Sequence, residues 1–404
     1  MTGRIRRAAA AAVRETCLVL TLKILLPLCY RIGSLRPLRP QKVLLLEMHE
    51  KEPSDNLRCI RSGLKARGFT EIHFHAPEDL TVSRLTYVRR AARFMWDMSN
   101  AGLVFLTDSS RLTSCVTIRP GTAVIQLWHA CGAFKRFGYS TSEAEFGGSR
   151  RDYDRWPYHR NFSLVTVSSP EVVWAYEEAF NIPAGSGVVR PLGVARTDHY
   201  FRKAFYERAR RHVREALPQL GEKRIVLLAP TYRGESARAV APPLPDLQKM
   251  AGELGDEYVL LIRQHPFLKK RPALPDTGGF AVDVTELLSA EDVLGSCDIC
   301  ITDYSSLIFE YSLREKPMIF MAADEGDYEM ERGFYYAYEE MTPGPVVRTD
   351  DELIAAIRAC RDFDPAQVHA FREQFMSACD GHATERIIDA ALAVREESQA
   401  GGSH

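Results

Sequence analysis

"CITDYSSLIFEYSLREKPMIF", residues Cys300–Phe320, is the stretch that decides how this chain folds. An apolar run stops at Asp303-Tyr304-Ser305-Ser306, a segment with helical spacing follows, and Lys316-Pro317 leads into a second apolar run. Strand, polar corner, helix and strand in that order make a unit of a parallel sheet, because parallel neighbours need a crossover and a helix is the compact one.

The same punctuation recurs along the chain. "KVLLLEMHE", "TEIHFHA", "AGLVFLTD", "TAVIQLWH" and "FSLVTVSS" are expected strands, with helices at Asn56–Arg67 and Glu171–Phe180 among them. The pattern restarts after "RPLGVARTDHY" and a charged helix near Phe201–Ala216, with strands in "KRIVLLAPTY", "YVLLIRQHP", "FAVDVTE", "CDICITDYSS" and "KPMIFMA". The expectation is an α/β protein with two Rossmann-type domains in tandem, residues 42–200 and 201–396, and a flexible tail at 397–404. Pro-rich "APPLPDL" reads as a surface loop of the second half.

The 404 residues carry a formal net charge of −1, so nothing in the whole-chain balance points to a polyanion partner such as nucleic acid. Nine cysteines, an odd number without a signal-peptide pattern, suit a reducing compartment. Cys297 and Cys300 form one C-x-x-C at the entry to an apolar strand, where burial explains them better than zinc or redox chemistry. Charge is concentrated at the N-terminus. Up to Lys42 there are nine Lys or Arg residues and one acid, Glu15, around the apolar "CLVLTLKILLPLCY". Lys23 and Pro27 interrupt that run, so a basic amphipathic segment over 1–41 lying on an anionic membrane surface is expected rather than a spanning helix. The competing reading is a helix packed on the protein's own body.

Neither G-x-G-x-x-G nor a P-loop is present. In doubly wound sheets ligands lie beyond the carboxyl ends of the strands, and Thr302, Asp303, Ser305 and Ser306 stand at such an end. Hydroxyls and first-turn amides there suit a diphosphate, and Glu310, one turn further, could accept from a ribose diol. An ordinary serine cap with a solvated glutamate explains the motif equally well when it is taken alone. Other strand ends add His129 and Lys135 in "WHACGAFK", Thr231 and Arg233 in "LAPTYR", His265 in "RQHPF" and Arg332 in "RGFYY". Imidazoles and guanidiniums in that pattern describe a site for an anionic substrate.

Taken in order, "WHACGAFK", "GVARTD", "LAPTYR", "RQHPF", "ITDYSSLIFEY", "KPMIF", "RGFYY" and "PGPVV" resemble the CDP-glycerol glycerophosphotransferase family of teichoic acid synthesis, the primase and polymerase type. The resemblance implies a GT-B-like architecture, with an acceptor domain and a CDP-donor domain facing a central cleft. It implies peripheral attachment to the cytoplasmic face of the cell membrane, and transfer of glycerol phosphate or a related polyol phosphate from a CDP-activated donor to a lipid-linked acceptor, without a cofactor or protein-held metal. Carried over by position, it makes His129 the general base and His265 a donor to the transferred phosphate. Ser305 and Ser306 then hold the diphosphate and Glu310 the cytidine ribose. The residues' own chemistry and placement add Thr231, Arg233, Thr302, Asp303 and Arg332 as expected donor-binding residues, with Lys135, His49 and Asn56 as weaker acceptor or phosphate contacts.

Two departures stand out. Ala130 replaces the glycine that many members carry after the histidine, with Gly132 returning two positions later, and Ala195 replaces a usual proline. "RRDYDRWPYHR", Arg150–Arg160, has no counterpart and is expected to be a solvated loop in preference to an acceptor lid. His73 and His75 alternate along a strand without ligand partners and are assigned to structure or surface. Two other functions are compatible with the sequence: a sugar transferase or epimerase using a nucleotide sugar on the same fold, and a membrane-associated scaffold without turnover.

Overall fold

The computed structural model describes residues 13, 15–48, 50–78, 82–142, 144, 147–234, 239–268, 270–322, 324 and 333–401. The segments expected to be strands are strands, and the inner ones are buried along most of their length, as parallel sheets covered on both faces require, whereas Ile72–His75 and Ala281–Asp283, at sheet edges, are half-buried. The first sheet holds β1 (Arg39–Leu46), β2 (Ile72–His75), β3 (Ala101–Leu106), β4 (Ala123–Gln126), β5 (Leu164–Thr166) and β6 (Val189–Arg190), in the order β2-β1-β3-β4-β5-β6. The second holds β7 (Arg224–Leu228), β8 (Tyr258–Ile262), β9 (Ala281–Asp283), β10 (Ile299–Thr302), β11 (Met318–Met321) and β12 (Val346–Val347), in the order β12-β11-β10-β7-β8-β9. Every pairing is parallel. The two-residue edge strands β6 and β12 went unanticipated, since two residues show no periodicity.

Strand order reverses at β1/β3 in the first sheet and at β7/β10 in the second. At such switch points adjacent crossovers leave in opposite directions and open a crevice beyond the strand ends. Glu47, Thr107 and Asp108 therefore mark the carboxyl-end edge at one switch point, and Thr231 and Asp303 that at the other.

The chain divides into two compact units, with bounds that differ from the expected ones. The first comprises the residues up to His129, Gly138–Arg196 and those from His382 onward; the second comprises Ala130–Phe137 and Thr197–Gly381. The last helix, Ala383–Gly401, belongs to the first unit because Ile387, Ile388, Ala391 and Val394 complete a core with Leu57, Ile60 and Leu64. The expected tail from 397 is helical to Gly401, and 402–404 lie outside the described residues. The second core gathers Val226, Leu260, Ile262, Ile299, Ile301 and Leu353. Cys297 and Cys300 are buried free thiols, and burial pushes both upward in pKa, as a packing role implies.

The N-terminal helix Glu15–Gly33 is long and apolar enough, by length and composition, to cross a membrane. One face is docked on the first unit. Leu22, Leu26 and Tyr30 are buried, the Tyr30 hydroxyl accepts from the Arg119 amide at 3.0 Å, and Glu15 pairs with Arg155. Gly33 allows the close approach, since a Cβ there would lie 2.3 Å from Ser99 Oγ. The other face exposes Leu20, Ile24, Leu28 and Ile32, spaced one helical turn apart. The helix therefore packs on the protein's own body, as the competing reading expected, and also presents an apolar stripe. The expected headgroup contacts Arg4, Arg6, Arg7 and Arg14 lie outside the described residues.

Candidate active site

In the first unit, β4 delivers Gln126-Leu127-Trp128-His129 to the switch-point edge. Trp128 has φ +57°, a left-handed conformation that a bulky residue holds only when its surroundings fix it. The surroundings are specific. Trp128 N–H donates to Gln126 Oε1 at 2.9 Å, and its carbonyl accepts from Asn56 Nδ2 at 3.0 Å. The reversed backbone stacks the indole on the His129 ring, with centroids 4.2 Å apart.

His129 Nδ1 lies 3.3 Å from the Thr107 carbonyl, which can only accept, so Nδ1 carries the proton and Nε2 keeps its lone pair. Asp108 Oδ1 is 3.9 Å from the same Nδ1. Crowding by protein lowers the imidazole's pKa, and Asp108 acts in the opposite sense. With 55% of the side chain exposed, water offsets much of that crowding. Beneath, the Thr107 hydroxyl donates to buried Glu47, whose second oxygen accepts from Ser54 N–H at 3.2 Å.

In the second unit, β7 and β10 are tied together at their ends. Asp303 Oδ1 accepts from Thr231 N–H at 2.8 Å, from Thr231 Oγ1 at 2.9 Å and from Tyr304 N–H at 2.7 Å. Arg233 Nη1 donates to Asp303 Oδ2 at 2.9 Å, its Nε and Nη2 grip Asp324, and Tyr304 Oη donates to Asp324 at 3.0 Å. Burial opposes the guanidinium's charge, but the two carboxylates outweigh it and raise its pKa. Thr302 Oγ1 donates to the Ala229 carbonyl at 2.7 Å.

This geometry corrects several expectations. Thr231, Thr302 and Asp303 are buried and spend their polar atoms on one another and on the backbone, so they hold strand ends rather than reach a donor. Arg233 is neutralised by Asp303 and Asp324 and is part of that frame. Asn56 is 2% exposed, with Nδ2 on the Trp128 carbonyl and Oδ1 accepting from Arg196 N–H at 2.9 Å; it positions the histidine loop instead of touching an acceptor.

Ser305, Ser306 and Glu310 are partly exposed at the start of the six-residue helix Leu307–Ser312. Ser305 Oγ accepts from Leu307 N–H at 3.4 Å, while Ser306, the capping residue, makes no capping bond through its side chain. Gly132, in the loop after His129, has φ +61° and lies where a Cβ would come within 2.3 Å of the Phe309 ring of that helix, which accounts for glycine at this position. His49 and Arg332 lie outside the described residues.

His265 follows β8. Its Nδ1 accepts from Phe267 N–H at 3.2 Å, which leaves the proton on Nε2. Burial, with a contribution from the Lys135 ammonium, lowers its pKa to about 4, so it is neutral at pH 7 and Nε2–H is a hydrogen-bond donor. Lys135 is anchored by an antiparallel backbone bridge to Phe334, from the "RGFYY" motif.

Sequence reasoning missed Thr107, Asp108, Glu47 and Trp128. A signal existed, for "LTD" at 106–108 ends a core strand just as "ITD" at 301–303 does. The Arg150–Arg160 expectation is also corrected. Arg150–Arg155 is an exposed helix capped by Ser149, but Trp156 and His159 turn inward because their rings pack on the first unit's aromatic core, His159 lying 4.6 Å from Phe180.

Residues 28–393 match the model of the CDP-glycerol:poly(glycerophosphate) glycerophosphotransferase family. The chain belongs to that family. It is 33% identical over 362 residues to the teichoic acid ribitol-phosphate primase of Bacillus spizizenii, covering 89% of this chain and 92% of the relative. It is 31% identical to the glycerol-phosphate primase of the same organism, over 77% of this chain and 79% of the relative. Against the Staphylococcus aureus ribitol-phosphate polymerase TarL it is 34% identical, over 73% of this chain and 52% of the relative, so the chain spans about half of that polymerase.

Among solved structures, the wall teichoic acid polymerase TagF, as its H548A variant, superposes with a TM-score of 0.74 at 21% identity, over 96% of this chain and 97% of that one. The expected GT-B-like α/β fold with two parallel sheets matches it. A UDP-GlcNAc 2-epimerase from Neisseria meningitidis reaches a TM-score of 0.52 at 11% identity over 87% of this chain, a likeness of fold alone. Family membership thus separates this phosphotransferase-type chain from the epimerase alternative and makes the scaffold reading unnecessary.

Proposed function

We propose that the protein transfers glycerol phosphate, or ribitol phosphate, from a CDP-activated donor to a hydroxyl of a lipid-linked acceptor, releasing CMP. The observation that carries the reading is that each unit has a strand-end histidine whose tautomer a backbone group fixes. His129 offers an unprotonated Nε2 and His265 an Nε2–H. The acceptor oxygen forms a new bond to the donor's β-phosphorus as the bond to the bridging oxygen breaks. CMP leaves with that bridging oxygen on its α-phosphate, and the acceptor's proton passes to His129. His265 donates to a phosphoryl oxygen while charge builds there, with Lys135 as the neighbouring cation. Ser305, Ser306 and the amides behind them receive the diphosphate, and Glu310 the cytidine ribose. No resident metal or cofactor enters this step.

The acceptor's lipid confines it to a bilayer, and the exposed stripe Leu20, Ile24, Leu28 and Ile32 supports a peripheral location on the cytoplasmic membrane face. Incubation with CDP-glycerol or CDP-ribitol and a lipid-linked disaccharide tests the reaction. Stoichiometric CMP and a product heavier by one polyol phosphate are expected; turnover of a nucleotide sugar with UDP release, or absence of CMP from both donors, overturns the reading.

A further inference from the structure

The first unit contains a pocket of about 440 Å³ that none of the reactions above uses. Four aromatic side chains, Trp128, Tyr153, Trp156 and Tyr158, line it together with Arg111 and His159. The volume lies in the range of small-ligand sites, which combine apolar walls with a few convergent polar groups. Two of those groups each keep one buried nitrogen without a hydrogen-bond partner, although Arg111 Nη2 donates to the Tyr158 hydroxyl. His159 is 7% exposed and its Nδ1 is unbonded, and Arg111 Nε, beside a guanidinium stacked 4.4 Å from the Tyr158 ring centroid, is unbonded as well. Buried polar atoms are nearly always paired, and leaving one unpaired costs about 1–3 kcal/mol, so two in one pocket point to a polar ligand.

The surroundings say which one. Trp128, in the pocket wall, is stacked on the catalytic His129. Trp156, also in the wall, has Lys23 of the apolar N-terminal helix 5.3 Å from its ring centroid. A group here would thus be next to residues that contact both the proposed base and that helix. Aromatic faces, negative at their centres, suit the C–H faces of a pyranose, while its hydroxyls need donors and acceptors of the kind Arg111 and His159 supply.

We infer that this pocket holds a sugar residue of the acceptor, between its reacting end and its lipid. The inference rests on the proposed transfer reaction. It also gives the Arg150–Arg160 segment a task, since Tyr153 and Trp156 come from it.

The test uses the full chain with CDP-glycerol and CDP-ribitol, a short-chain lipid-linked disaccharide, and the same disaccharide as its methyl glycoside. Tyr153 is partly exposed on a helix with no buried residue, so Tyr153→Ala leaves the fold intact. It should raise the acceptor KM about tenfold, with kcat and donor Kd within twofold of wild type, as expected for losing one aromatic contact. In the wild type the methyl glycoside should quench tryptophan fluorescence and compete with the lipid acceptor, and Tyr153→Ala should weaken both effects. An unchanged acceptor KM in Tyr153→Ala, alongside normal wild-type transfer, overturns the sugar site and leaves the function standing. Failure of the wild type to release CMP from either donor overturns the function itself.

Discussion

The Nδ1–H of His129 is held by the carbonyl oxygen of Thr107 at 3.3 Å, one residue beyond the end of the neighbouring strand β3. A backbone acceptor cannot titrate, so the tautomer that leaves Nε2 basic is kept at every pH where the imidazole is neutral. His129→Ala should therefore reduce kcat by about 10²–10⁴-fold with donor binding preserved. The rate should fall on the acid side as His129 protonates, below the ordinary imidazole range because crowding lowers its pKa. Asp108 raises that pKa, so Asp108→Asn should move the acid limb of kcat/KM to lower pH. A limb that stays in place removes Asp108 from the site's electrostatics.

In the proposed reaction His265 is a neutral donor, and with a pKa near 4 it should contribute no limb between pH 6 and 8. His265→Gln, which can keep an N–H near the same place, should retain more kcat than His265→Ala. Equal losses, measured in single-turnover assays, argue against hydrogen-bond donation.

Arg233 is bound by Asp303 and Asp324 and is only 19% exposed. Arg233→Ala leaves carboxylates without their cation and should destabilise the fold by about 3–5 kcal/mol in urea denaturation. Asp324→Asn, in the Arg233→Ala background, should recover part of that loss. Full stability with weakened donor binding would return Arg233 to the donor site.

Burial holds His159 at about 3, and His75 and His265 at about 4, all below the unfolded value. The unfolded chain takes up these protons first as pH falls below 6.5, so stability present at neutral pH is lost toward the folded pKa values. Each histidine contributes a slope of up to about 1.4 kcal/mol per pH unit. His159→Phe should flatten the stability profile between pH 6.5 and 4 without loss at pH 7, because Nδ1 has no partner to forfeit. An unaltered profile shows that His159 does not drive acid unfolding.

The two faces of the N-terminal helix are separable. Replacing Leu20, Ile24, Leu28 and Ile32 by Gln should abolish co-sedimentation with anionic vesicles while leaving Tm unchanged. Leu26→Ala, on the docked face, should instead cost about 2–5 kcal/mol. Undiminished vesicle binding by the four-fold variant would move the membrane contact to another surface.

Alternation of apolar runs with amphipathic segments is local information, and by itself it determined the α/β class and ten of the twelve strands among the described residues. That His129 and His265 stand just beyond strand ends was legible as well, because each follows an apolar run in the sequence. The tertiary structure decided what each polar residue does. Thr231, Arg233 and Asp303 look like ligand groups in the sequence, yet they satisfy one another, since hydrogen bonds join residues 72 positions apart only once β7 and β10 are neighbours. The tautomers of the two histidines likewise depend on carbonyl and amide groups brought up by folding. The path of the last helix back to the first unit was decided by which core lacked an apolar face, a matter of packing that no single segment records.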